Sequence, residues 1–365
     1  MGLVKTTWIA AWAAAGTVGC GTPEVGFDKA AMLRATVDGV ILPTNDALAA
    51  SADALDAAVV AFCVDRTAAN LDVARTAWLA TKVPAKQIEA WSFGPYRIAG
   101  IELQNSVDKW PAHADAVEAA ITGAPGAIDV AYVDGLDVAT HVKGYPAIGY
   151  LLWRDGDAAA TAAAFDDPRC AYLTAASAAA RAPVHAYRDG WSPSGGDYAA
   201  QLAEAGDGSA AYPSDQEAIT AVVGGMLTAL TAVAADKLGE PLGAASGGAP
   251  QPDAVEAAWS DTSLDDAANA LTGVIAVYGE GPTSLAAYVR SREEDGRVDE
   301  AVVDALAGAI DGVRAIPGPL ESAVTADPAA VQAAIDAVDR AQIAVTGDLS
   351  TLLGINPSAV EGDND

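Results

Sequence analysis

His113, His141 and His185 are the only histidines of this 365-residue chain, and their neighbours decide what chemistry they could do. An imidazole and a carboxylate one helical turn apart converge on a single cation, a donor mix suited to zinc or iron. His185 has Asp189 four residues later, but Arg188 and Gly190 mark a helix end there. His141 lies five residues before Pro146 and could approach a shared cleft, and His113 sits in the turn Trp110–Asp115. For lone histidines the default is a solvated or hydrogen-bonded ring. Glu89, in QIEAWSFG, is the acidic residue best placed to face a cleft, with capping or ion pairing as the alternative. The sequence has no HExxH pair for a helical zinc protease, no phosphate-cradling loop and no GxGxxG. Gly190-Trp-Ser-Pro-Ser194 imitates a nucleophile elbow but lacks its closing glycine. Asp155-Gly-Asp157 and the tail Glu361–Asp365 lack the spacing of a calcium loop and read as solvated charge.

These residues must be positioned by helices. Hydrophobic residues make up 52% of the chain and aromatics 6%. Alanine, the best helix former, supplies much of the apolar share. Apolar residues recur every three or four positions: Leu33, Val37, Ile41, Leu48, Leu55, Val59 and Phe62, then Leu71, Ala74 and Trp78. Pro43 should interrupt the first run, and Pro84 should kink or end the second. Residues 91–110 read as a structured loop, Trp110-Pro111 as the opening of a helix through Ile121, and Val130–Val142 as another helix. The Gly-, Ser- and Pro-rich segment 189–213 divides the chain. Beyond it, Ser214-Asp-Gln-Glu217 is a capping box, followed by the stripe Ile219, Val222, Met226, Leu230, Val233 until Gly239 and Pro241 stop the helix. Three more stripes follow, the last opened by Asp327-Pro328. No segment alternates as a strand does. The expectation is an all-α fold of two antiparallel bundles of about four helices each, at 28–188 and 214–355, with a connecting region 189–213 and an acidic tail 356–365.

The N-terminus reads as an export signal. One lysine, an apolar run and Gly19-Cys20 suggest a signal peptide over 1–19, lipidation at Cys20 and a linker over 20–27. No other run is expected to span a bilayer. The protein would then sit on the periplasmic side of the cell envelope, at the outer membrane, touching the membrane only through lipid. In that oxidising setting Cys63 and Cys170 either pair or remain two buried thiols. A bridge closing about a hundred residues would stabilise the fold by about 4–5 kcal/mol in chain-entropy terms. The formal charge of −29 excludes nucleic acid as a partner, because phosphate binding needs clustered cations.

Several segments together resemble the imelysin-like proteins, exported bacterial proteins of two helical bundles. They are ARTAWLATKVPAKQIEAWSFGP (Ala74–Pro95), Asp108-Lys-Trp-Pro111, KGYPAIGYLLW (Lys143–Trp153), Arg169-Cys-Ala-Tyr172, SDQEAITAVVGGM, DKLGEPLG, NALTGVIAVYGEG and the C-terminal LSTLLGINPSAVEGDND. The resemblance spans nearly all of the chain beyond the signal. It implies a hallmark Gly-x-His-x-x-Glu helix and a role as a metallopeptidase or an iron-linked periplasmic binding protein. Here the hallmark glycine falls on Gly144, the histidine position on Pro146 and the glutamate position on Gly149. Neither of the last two can ligate metal through a side chain. Pro146 fits only a first helical turn, while Ile148, Leu151 and Leu152 can still pack.

Two functions remain. The first is a non-catalytic binding or accessory protein of the envelope, without a cofactor, linked to iron or metal uptake through an unidentified envelope protein or small ligand. A cleft lined by Trp91, Phe93, Trp110, Tyr145 and Tyr150 would serve it, unless these aromatics are plain core. The second is a metallopeptidase or metal carrier whose iron or zinc site is rebuilt around His141 and Glu89.

Overall fold

The structure, a computed structural model, describes residues 26–98 and 101–356. The proposed signal peptide, Cys20 and residues 357–365 lie outside the described residues. Eight long helices build the fold. They are α1 (Lys29–Val64), α2 (Ala68–Gln87), α3 (Gly144–Trp153), α4 (Asp167–Trp191), α5 (Asp215–Leu242), α6 (Ser263–Tyr278), α7 (Arg297–Arg314) and α8 (Pro328–Ile343). The first four pack as one bundle and the last four as a second. The fold is all-α, and the one departure among the described residues is a two-residue antiparallel pair, Arg97–Ile98 with Ile101–Glu102.

Pro43 and Pro84 shape their helices without stopping them. Pro43 and Pro241 each follow a widened turn, Val37–Ile41 and Ala232–Gly239, inside a continuing helix. A proline ring collides with the carbonyl four residues earlier. Both of those carbonyls, at Gly39 and Lys237, fall within the widened turns, which make room for the ring. Pro84 lies inside α2, which runs on to Gln87. α5 ends at Leu242, one residue past Pro241, as expected, whereas the expected interruption at Pro43 is corrected. So are three other boundaries. The helix expected from Trp110-Pro111 begins at Ala114. The stretch 130–142 holds only Val130–Asp134 and a short turn Val138–Thr140. The segment 189–213 contains the end of α4 and a helix Tyr198–Ala203, whose Tyr198 packs edge-on against Trp191.

The capping box at α5 is present. The Glu217 backbone N–H donates to Ser214 Oγ at 3.3 Å, and the Ser214 N–H donates to Glu217 Oε2 at 3.0 Å. Ser214→Ala should lower stability by about 1 kcal/mol, read from the midpoint of chemical denaturation.

Cys63 and Cys170 are disulfide-bonded, with Cα atoms 5.4 Å apart, and join α1 to α4. Two helices, α1 and α5, are long and apolar enough to cross a bilayer by length and composition, contrary to the expectation that none would be. Alanine raises their hydropathy, and the buried faces of both belong to the protein core.

The bundles meet along α2, its continuation Ile88–Trp91, α5 and α6. Glycines permit the approach. A Cβ at Gly225 would lie 2.4 Å from the Ala90 carbonyl oxygen, and one at Gly273 would lie 2.2 Å from that of Gln87. The start of α1 reaches across to the second bundle, where Phe27 packs against Tyr288 at 5.2 Å between ring centroids.

Candidate functional site

Seven charged side chains are buried together where the bundles meet. Lys82 and Lys86 come from α2, Glu89 from the turn after it, and Asp108 from the end of the helix Leu103–Val107. The second bundle contributes Lys237 from the widened turn of α5, Glu256 from the α5–α6 connection and Asp266 from the first turn of α6. None exceeds 8% side-chain exposure, so every charge must find its partner inside the protein.

The lysines occupy the middle. Lys82 Nζ donates to Asp108 Oδ1 at 2.9 Å and to Glu256 Oε1 at 2.9 Å. Lys86 Nζ donates to Glu89 Oε1 at 3.1 Å and contacts Asp108 and Glu256. Lys237 Nζ donates to Glu89 Oε1 at 3.1 Å and Glu256 Oε2 at 2.7 Å, and lies over the Trp110 ring. Burial alone would push Lys82 and Lys86 toward the neutral amine. The surrounding carboxylates, Asp108 foremost, reverse this and leave both raised above their ordinary values. Burial likewise opposes the charge of Glu256, but Lys237, Lys82 and Lys86 hold it well below the usual carboxylate range. The network is therefore charged.

The hallmark helix lies beside this centre. Gly144 opens α3, and Pro146 stands in its first turn, where no intrahelical N–H is required. At Gly149 a Cβ would lie 2.8 Å from Cζ2 and 3.2 Å from Cε2 of Trp78. The indole is fixed there, because its Nε1 donates to the Tyr145 carbonyl at 2.8 Å and its ring packs edge-on against Trp153. Trp78 fills the space that a side chain at Gly149 would enter.

A metal does not fit these residues. Pro146 and Gly149 offer no donor, and the nearby carboxylates are bound by three ammonium groups. Among the described residues no three of His, Cys, Asp and Glu gather as a metal-binding group. The expected replacement pair is not assembled. Glu89 binds Lys86 and Lys237. His141 stacks on His113 at 4.4 Å and sets its Nδ1 2.9 Å from the Pro111 carbonyl, and burial lowers its pKa. His185 lies 2.9 Å from Asp53, while Asp189 pairs with Arg188.

The aromatic cleft is also corrected. Trp91 is core and donates to Asn45, and Phe93 packs edge-on against Trp191. Tyr145 is buried and burial raises its pKa. Tyr150 donates to Glu118 and packs on Trp259, and Trp110 lies beneath Lys237. These rings have separate partners because each closes a different helix junction. A groove of about 930 Å³ lies between α5 and α8 and shares no residue with the charged centre.

Comparison with known proteins matches this architecture. The family described as Imelysin matches residues 41–345. Iron-regulated protein A of Synechococcus elongatus is 27% identical over 294 residues, covering 80% of this chain and 76% of that protein. A crystal structure of a candidate iron-regulated protein A precursor from Parabacteroides distasonis superposes with a TM-score of 0.75 at 23% identity, covering 89% of this chain and 94% of that one. An imelysin-like protein from Psychrobacter arcticum gives 0.73 at 21% identity, covering 91% and 99%.

Proposed function

Because this chain belongs to the imelysin family, we propose that it is a non-catalytic binding or accessory protein of the cell envelope with a role in iron handling. Its partner is an envelope protein or a small ligand. The N-terminal apolar run and Gly19-Cys20 support export with a lipid anchor on Cys20, on the periplasmic face of the outer membrane. The similarity to iron-regulated protein A supports the link to iron.

One observation carries the non-catalytic reading. The position where the family hallmark places its glutamate is a glycine closed off by Trp78, and the adjacent carboxylates already hold lysine ammonium groups. Hydrolysis by a metal needs an activated water and an open coordination position, and neither hallmark position supplies a ligand.

The test is metal content by elemental analysis, followed by calorimetric titration with Zn²⁺ and Fe²⁺. The expected result is no stoichiometric binding by the purified protein. Tight one-to-one binding would overturn the reading in favour of a metallopeptidase or metal carrier with a rebuilt site.

A further inference from the structure

The charged centre holds three ammonium groups and four carboxyl groups, all buried. Three of the carboxyls are well supplied with cations. Asp108 meets Lys82 and Lys86, Glu89 meets Lys86 and Lys237, and Glu256 meets all three lysines. Asp266 has only Lys82, at 3.4 Å, and its Oδ2 accepts no hydrogen bond. Glu89 Oε2 also accepts no hydrogen bond, but Glu89 has two lysines on its other oxygen. A buried carboxylate with little compensation is costly, so the surplus negative charge of the cluster falls on Asp266, which has a single cation.

We propose that the centre binds one proton, on the Asp266 carboxyl, and that release of this proton to solvent loads the contact between the two bundles with an uncompensated negative charge. The proposal stands apart from the proposed function and would survive its failure. The groups facing Asp266 are Lys82 and Lys86 from α2, Asp108 from the segment after Val107, and Glu256 from the α5–α6 connection. Burial raises the Asp266 pKa, Lys82 opposes it, Glu256 adds to it, and the carboxyl is pushed up to about 7. Protonated, the cluster is balanced. Ionised, it carries one excess negative charge between two helices that hold the bundles together.

The sign of the linked effect follows. An unfolded aspartate releases its proton near the ordinary value of 3.8, whereas the folded one keeps it to about 7. Between those values the native state binds a proton that the unfolded state lacks, so stability falls as pH rises. Three other shifted groups contribute. Asp236, raised by burial, acts in the same sense as Asp266. His141, lowered by burial, acts in the opposite sense. Glu321, also pushed to about 7, acts in the same sense.

The test is difference infrared spectroscopy of the full chain, following the C=O stretch of protonated carboxyl groups through neutral pH. A band that disappears near pH 7, persists in Glu321→Gln and is missing from Asp266→Asn is expected. Absence of any such band in the unaltered protein would overturn the proposal, as would its loss in Glu321→Gln. If Asp266→Asn does not fold, the band in an Asp236→Asn/Glu321→Gln chain decides, its loss there overturning the proposal. In denaturation titrations, Asp266→Asn should remove the Asp266 share of the stability loss between pH 4 and 7 and leave that of Glu321, so the pH slope should become shallower. An unchanged pH slope in that variant would count against the assignment.

Discussion

Lys86→Met should destabilise the protein by about 3–5 kcal/mol, the cost of leaving buried charges unpartnered. Its ammonium is fully enclosed and touches Asp108, Glu89 and Glu256, which arrive from three different segments of both bundles. Methionine nearly matches the lysine stem in volume, so the loss comes from charge rather than from a cavity. Two ammonium groups would then face four carboxyl groups. The measurement is guanidinium-induced unfolding, with Arg297→Met as control, because the Arg297–Asp295 pair is exposed and should contribute nothing measurable. Adding Glu256→Gln to Lys86→Met removes one of the stranded charges, so the double variant should lose less than the sum of the singles. A Lys86→Met chain as stable as the control would mean that the centre is not a charged network.

The same residues show how far the sequence could be read. The long helices and the two bundles followed from apolar periodicity, because each helix buries one stripe, and the capping box from the spacing of Ser214 and Glu217. The charged centre was present in those stripes but hidden by residue type. Leu71, Ala74 and Trp78 lead at helical spacing to Lys82 and then Lys86, so the lysines occupy core positions of α2. Met226, Leu230 and Val233 lead in the same way to Lys237. A lysine on an apolar stripe usually reaches out to solvent with its stem buried. Only the approach of the second bundle, with Glu256 and Asp266, turns these three inward. Such long-range pairing leaves no local signature. Proline was misread for a related reason. Pro43 and Pro84 would break a helix in isolation, but tertiary packing and the widened turn before Pro43 carry the chain through. The aromatic residues were legible as large and apolar, whereas their partners were set by helix junctions that the sequence does not display.

Restoring the family hallmark with Pro146→His and Gly149→Glu should not create a metal site. It should destabilise the protein, by about 1–3 kcal/mol from overpacking at position 149 alone. The added Cβ would press on Trp78 at 2.8 Å. The indole cannot swing aside cheaply, because that would break its hydrogen bond to the Tyr145 carbonyl inside the core and its contact with Trp153. The new carboxylate would also enter a buried region whose three ammonium groups are already engaged. Calorimetric titration with Zn²⁺ should therefore show no binding by the double variant, and its unfolding midpoint should fall. If Trp78 is the obstacle, Trp78→Ala in the same chain makes room, and the triple variant should lose less stability than the separate effects predict. Stoichiometric Zn²⁺ binding by the double variant with Trp78 intact would show that α3 can still present both ligands, and that two substitutions rather than a closed space separate this protein from a metal-binding one.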